Sequence, residues 1–243
     1  MAPIRIRSIP RADFRPALLA ELHGLASRLM AEDAEHFNVH ARSNDVVHVF
    51  EETGADGAGI VGFQFWRLAG LDRPGRLAIL GGKLRVLPAY RGQALHLRSG
   101  LRFYLESSLH HPLARFYRMS LASLFGFVSI TSALASYRLL DPRDGDDEAA
   151  LIGAAFERLV AESQFRPVPG TGLFFVDIYP SAETLAGYPP SYFERPQAQA
   201  YLRANPGFRD NGCYLAFWFR MTPANLAALG RTIARKAGLL RLV

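Results

Sequence analysis

The chain has 243 residues, about half of them apolar, a formal net charge of +6 and one cysteine, Cys213. That length and composition predict a folded globular protein with a sizeable core and exclude a disordered or low-complexity chain. A single cysteine excludes an internal disulfide framework and any cysteine-built zinc cluster, and it fits a reducing cytoplasm.

The first ten residues, MAPIRIRSIP, lack an apolar core of signal-peptide length. Ile4 to Ile9 alternates apolar and polar residues and predicts a first strand. Asp13 or Pro16 opens a helix in which Leu18, Leu19, Leu22, Leu25, Leu29 and Met30 recur at helical spacing. Val46 to Phe50 and Ile60 to Leu68 read as strands joined by the turn-rich TGADGAG, a hairpin. Leu77 to Leu87 reads as a longer strand, interrupted by Gly81-Gly82 where a bulge or a close backbone approach is expected. A helix follows from about Gln93 to Leu109, then a buried strand from Phe116 to Phe125 and a helix near Thr131 to Leu140.

The acidic connection DPRDGDDE leads into a helix over Ala149 to Ser163. Leu173 to Tyr179 and Cys213 to Met221 are the last strand candidates. They flank a Pro- and Tyr-rich insertion, Pro180 to Asp210, with a short helix near Gln197 to Ala204. A helix from Pro223 to about Leu239 closes the chain. This order predicts an α/β protein: a mixed, mostly antiparallel sheet with helices on both faces, in a single domain over 1–243. Its core is 1–140 and its C-terminal extension 141–243. The uncharged run between Arg118 and Arg138 carries six Ser or Thr residues, a poor membrane span.

From Arg73 to Leu105 there is no Asp or Glu, while Arg73, Arg76, Lys83, Arg85, Arg91, Arg98 and Arg102 fall inside that stretch. A positive field around a strand-to-helix turn predicts an anionic ligand. The first N–H groups of a helix have no intrahelical partner and face the positive end of its dipole, so a diphosphate is a fitting guest.

The residues at that turn, Val86-Leu87-Pro88-Ala89-Tyr90-Arg91-Gly92-Gln93-Ala94-Leu95-His96, resemble the GCN5-related N-acetyltransferase family pattern V-x-P-x-x-R-G-x-G-x-G/A. Ala94 and His96 depart from it, His96 more strongly, because an imidazole stands where the family has almost no side chain. The resemblance covers roughly residues 4 to 140. It implies coenzyme A or an acyl-CoA as donor, held by Leu84, Val86, Arg91, Gly92, Gln93, Ala94, Leu95, His96 and Arg98. It also implies attack of an amine acceptor on the thioester, with the exposed backbone of Leu80 to Leu84 along the pantetheine arm. In this resemblance Tyr137, in Ala135-Ser136-Tyr137-Arg138, protonates the leaving thiolate; a rim or core tyrosine is the equal reading. His48, Glu51 and Glu52 are candidates for a general base, and Glu51 is carried forward, although a solvated or structural role is the commoner fate of each.

Three functional readings follow: transfer from acetyl-CoA or another acyl-CoA, transfer of a long acyl chain from acyl-CoA or an acyl carrier protein, and an inactive binding module on the same fold. Nucleic-acid binding through the basic stretch is a minor alternative. No His, Asp and Glu cluster has metal-ligand spacing. The insertion from Pro180 to Asp210 is expected to set acceptor selectivity or to line an acyl pocket.

Overall fold

The computed structural model describes residues 3–29, 33–53, 59–162 and 165–238. The chain divides into two compact units: Met1–Ala69 with Ile79–Ala114 and Leu229–Val243, and Gly70–Ala78 with Arg115–Ala228.

In the first unit the elements are β1 (Ile4–Pro10), α1 (Pro16–Ser27), α2 (Ala34–Arg42), β2 (Val46–Glu52), β3 (Ile60–Gly70), β4 (Arg76–Val86) and α3 (Leu95–His110). The strands lie in the order β1-β2-β3-β4. β2 pairs antiparallel with both β1 and β3, with Ile6 opposite Phe50 and His48 opposite Gln64. The expected hairpin is therefore present, although Gly54 to Ala58 of its turn lie outside the described residues.

Period-two alternation gives β2 two buried faces. Val47 and Val49 pack with Leu19, Leu22 and Leu25 of α1, Phe37 and Ala41 of α2, and Phe63 and Phe65 of β3. Burying a Leu, Val or Phe side chain in such a cluster contributes about 1.5–3 kcal/mol. The opposite face carries His48 and Phe50 and meets α3. Phe50 clusters with Ile4, Val61 and Leu95, and His48 Nδ1 is 2.9 Å from Ser99 Oγ.

α3 is also tied to the outer side of β1. Arg98 donates to the carbonyl of Ile4, Arg102 donates to that of Ile6, and Ser8 Oγ donates to Glu106 at 3.3 Å. Four helix residues advance about 6 Å and two strand residues about 6.6 Å. Arg98, Arg102 and Glu106 therefore stay in step with Ile4, Ile6 and Ser8, and edge carbonyls that would otherwise face water are satisfied.

The second unit contains β5 (Arg115–Ala122), α4 (Leu124–Thr131), β6 (Arg138–Leu139), α5 (Asp147–Ala161), β7 (Arg166–Pro167), β8 (Leu173–Phe175), α6 (Ala182–Ala186), α7 (Pro190–Phe193), α8 (Pro196–Ala204) and β9 (Cys213–Arg220). The last helix, α9 (Pro223–Lys236), begins there. Strands run in the order β5-β9-β8-β7, all antiparallel, with β6 also on β9. Its core joins Leu124, Phe127 and Val128 of α4 to Tyr201 of α8 and Leu215 and Phe217 of β9. The α/β class and the mostly antiparallel pairing expected from the sequence are those of the structure.

Three local expectations are corrected. The predicted helix over Thr131 to Leu140 is instead α4 at Leu124–Thr131, followed by extended chain and β6. Buried Leu124, Phe127, Val128 and Thr131 mark the true helical face. Asn225 Oδ1 then accepts the N–H groups of Ala135 and Ser136, both at 2.9 Å, and holds that segment extended. The strand expected to Tyr179 stops at Phe175, because Asp177 turns left-handed at φ 56°. The third is α2, which the leucine pattern of α1 overshadowed; Asp33 caps it by accepting the N–H of His36.

α3 packs closely on the sheet at Gly100. A Cβ there would stand 3.0 Å from Trp66 Cη2, and Trp66 is stacked on Phe103 and fully buried. Gly100→Ala is expected to cost about 1–3 kcal/mol in denaturant unfolding through overpacking. A glycine-to-alanine change in an open helix would stabilise instead.

Candidate functional site

β4 runs to Val86, a single 3-10 turn spans Pro88–Tyr90, and α3 begins at Leu95. Two features shape the intervening loop. Gly92 has φ 87°, and a Cβ there would meet nothing within 4 Å. Ala94, the N-cap of α3, is left-handed at φ 56° and ψ 27° and provides no side-chain cap. An L-residue in that conformation costs about 1–2 kcal/mol. Strain of this kind persists where the surroundings fix the backbone, and it clusters at ligand-holding loops.

The consequence is a helix end with open donors. Leu97 and Arg98 donate to the carbonyl of Ala94. The N–H groups of Gln93, Ala94 and Leu95 have no hydrogen-bond acceptor among the described residues. The Nε2 of Gln93 is buried and also without a partner among them. Donors gathered at the positive end of a helix dipole form an anion-binding concavity.

The turn is anchored from behind. Leu95 is buried with Ile4, Phe50 and Val61, and Val86, Leu87 and Tyr90 pack on the same cluster. Leu87 donates to the carbonyl of Val61 at 2.9 Å. Tyr90 OH donates to Glu52 at 2.8 Å, and that bond to a carboxylate holds the phenol above its ordinary range.

Leu84, Val86, Arg91, Gly92, Gln93, Ala94, Leu95, His96 and Arg98 thus lie on one continuous strand, turn and helix. Within it Leu84 and Arg91 are exposed, Leu95 faces the core and His96 is partly exposed in the first helical turn. Arg98 sends its guanidinium to β1. Part of the positive field is therefore spent inside the fold, since Arg102 also pairs with Glu106 at 2.6 Å. In the second unit Arg73 pairs with Asp147.

β4 itself is irregular just before the turn. Lys83 has φ 41°, Gly81 is exposed and Leu84 is 40% exposed. Of the two features expected at Gly81-Gly82, the close approach is at Gly82 itself, and the backbone irregularity follows at Lys83. A Cβ on Gly82 would stand 2.8 Å from His40 Nε2. His40, in the last turn of α2, was missed in the sequence because α2 itself was. The Asp33 cap followed by Phe37 and Ala41 four apart was the available signal.

The other candidates are placed as follows. Glu51 accepts from Arg7 at 2.7 Å and is 3.6 Å from Arg5. Tyr137, in the second unit, lies in the extended segment between α4 and β6, its ring edge-on to Phe127 at 5.5 Å. Burial raises its pKa, opposed by Arg203, so it is protonated at neutral pH. His48 lies with Ser99 and Glu106 in an arrangement like a catalytic triad, with His48 Nε2 3.7 Å from Glu106. Ser99 and His48 are both fully buried, and Trp66 Nε1–H also donates to Ser99 at 2.8 Å. Ser99 and His48 thus form a buried core network, with Glu106 at its solvent edge. Among the described residues no cluster of three His, Cys, Asp or Glu could hold a metal ion, and no helix is long and apolar enough to cross a membrane.

No protein-family model matches the chain, and no curated protein matches it in sequence. Among solved structures it resembles Arabidopsis thaliana NAA60 in complex with a bisubstrate analogue, with 17% identity over 57% of this chain and 86% of that one and a TM-score of 0.39. It also resembles a GNAT family acetyltransferase from Brucella melitensis in complex with acetyl-CoA, at 19% identity, 49% and 76% coverage and a TM-score of 0.32. A third likeness is to Escherichia coli ElaA, at 15% identity, 60% and 94% coverage and a TM-score of 0.36. Likenesses this faint transfer neither substrate nor catalytic residues.

Burial, opposed by the charge of Glu106, takes the pKa of His48 down to about 4, with Arg102 adding to the fall. The unfolded chain then binds the extra proton between the ordinary histidine value and that depressed one. The stability contributed by neutral His48 is complete above about pH 6.5 and is lost as pH falls toward 4, on the order of 3 kcal/mol. Denaturant midpoints are expected to fall over that window and to fall less in His48→Gln.

Proposed function

We propose that the chain is an acyltransferase of the GCN5-related type, moving an acyl group from a coenzyme A thioester to an amine. The observation that carries this reading is the uncapped start of α3, where Gly92 and Ala94 turn left-handed and leave the N–H groups of Gln93, Ala94 and Leu95 without acceptors. A diphosphate supplies the acceptors that those donors lack. The sequence frame Val86, Pro88, Arg91 and Gly92, at the end of a strand and the start of a helix, is the same frame that resembles the family.

In this reading Arg91, on the exposed side of the turn, and the first turn of α3 with His96 take the phosphates, while Leu84 and Val86 flank the pantetheine arm along β4. Arg98, bound to Ile4, orients the helix as well as adding charge. Holding amine and thioester together supplies much of the rate. Tyr137 is the candidate acid for the leaving thiolate: burial raises its pKa and keeps the phenol protonated as a donor. Glu51 is a weaker candidate base, since Arg7 and Arg5 already hold its carboxylate. Acyl length follows from donor comparison: acetyl-CoA preferred for an acetyltransferase, a long acyl chain or carrier-bound donor preferred for the lipid-type alternative.

Calorimetric titration with coenzyme A and acetyl-CoA tests the reading. Wild type is expected to bind, and Gly92→Val, which forces a β-branched residue to φ 87°, is expected to lose at least tenfold in affinity while remaining folded. Absence of binding by coenzyme A, acetyl-CoA and long-chain acyl-CoA alike would refute it. Tyr137→Phe is expected to leave donor binding unchanged and to lower turnover about 10²-fold; unchanged turnover removes Tyr137 from the chemistry.

A further inference from the structure

The imidazole of His40 is one of several buried polar groups of the first unit that lack a partner among the described residues. Its Nε2 is shut off from solvent and has no hydrogen-bond partner among the described residues. An orphaned buried nitrogen costs about 1–3 kcal/mol, and folded proteins retain few of them. This one is held against β4 at Gly82, where a side chain as small as a methyl would meet it at 2.8 Å. Gly82 sits in the irregular stretch of β4, between exposed Gly81 and left-handed Lys83.

From Gly82 to Val86 is four strand residues, about 13 Å at the usual rise, and the anion cradle follows directly. A thioester anchored by its phosphates at α3 and extended back along β4 therefore brings its acyl end toward Gly82. Resting on the acyltransferase reading above, we infer that His40 Nε2 is the base that takes the proton from the attacking amine.

The charges around His40 suit that task. Burial is the main cause that depresses its pKa, to about 4, and His36 on its own helix and Arg85 on β4 push the same way. The ring is therefore neutral across the physiological range; with its hydrogen on Nδ1, the Nε2 lone pair faces Gly82, the point that the acyl end reaches. Lys83, next to Gly82, has its ammonium 5.5 Å from the ring centre of Phe37 on α2. Burial, with Arg85, lowers its pKa to about 8. Lys83 and Arg85 on β4 disfavour a cationic guest, so the acceptor enters as the neutral amine.

Its nitrogen adds to the thioester carbonyl and becomes cationic in the tetrahedral adduct, which makes it far more acidic than a free ammonium. A weak base such as His40 suffices to take that proton. The C–S bond then breaks with its electron pair going to sulfur, leaving amide, thiolate and imidazolium. The imidazolium proton returns to the thiolate through solvent or by way of another acid, so that amine plus thioester gives amide plus thiol.

The acceptor is unidentified, so the first readout needs none. Long-range proton–nitrogen spectra of histidine-labelled full-length protein report His40 Nε2, assigned by its loss in His40→Gln. Acetonyl-coenzyme A, a stable analogue of the thioester, is expected to shift that resonance and leave His110 and His111 unmoved. In the second readout, His40→Gln is expected to bind acetyl-coenzyme A within threefold of wild type. It should also acetylate a panel of small primary amines about 10²-fold more slowly, with part of the rate restored to His40→Ala by added imidazole. Bound analogue with no shift at His40, or a His40→Gln rate within threefold of wild type, overturns the inference. If calorimetry shows that wild type binds no coenzyme A species, the cradle reading has failed and takes this inference with it, a result distinct from failure at His40 alone.

Discussion

Everything proposed for this protein depends on how β4 hands the chain to α3. The backbone must reverse through Gly92 and Ala94, and both residues stand at positive φ. Only one of them is glycine. The strain at Ala94 is offset by what surrounds it: Ala94 is 2% exposed, and Leu95 beside it is held among Ile4, Phe50 and Val61. A left-handed N-cap without a capping side chain leaves helix donors open, which a stability-driven sequence would close with Ser, Thr, Asp or Asn. Local rules are broken here and again at left-handed Lys83 in β4, a clustering expected of a functional site.

The rest of the first unit makes that turn rigid. Two arginines and a glutamate on α3 keep step with β1, and Trp66, Ser99 and His48 form a buried polar network under the same helix. Ser99 Oγ joins the other two and so ties α3 to β2 and β3. Arg98 and Arg102 illustrate how a charge pattern divides its work: both belong to the acid-free stretch, yet both reach the backbone of β1. The field at the turn thus owes more to the open helix donors and Arg91 than to the count of basic residues.

Much of this was legible in the sequence. Alternation found β1 and β3, the turn-rich segment after Val46 to Phe50 marked β2 as the partner of β3, and the Arg91-Gly92 frame located the turn to the residue. Ala94 was recognised as a departure from the pattern, but its left-handed φ was not, since alanine carries no compositional sign of that conformation. His96 remains in the first turn of α3, and its partial exposure fits a residue beside the phosphates. α2 was lost because Ala34 to Arg42 has only two core residues, Phe37 and Ala41, amid polar ones, and His40 went with it. The stretch around Tyr137 was misread as helix because its geometry is imposed from far along the chain. Asn225, some ninety residues away, accepts two of its N–H groups and donates to Ser136.

The backbone amides of Gln93, Ala94 and Leu95 are the most direct witnesses to the central claim. In amide spectra of the labelled protein titrated with coenzyme A, their resonances are expected to move the most, and pantetheine, which lacks the diphosphate, should leave them in place. Coenzyme A that binds without moving these three amides, or pantetheine that moves them equally, would contradict the claim that the open end of α3 holds a diphosphate.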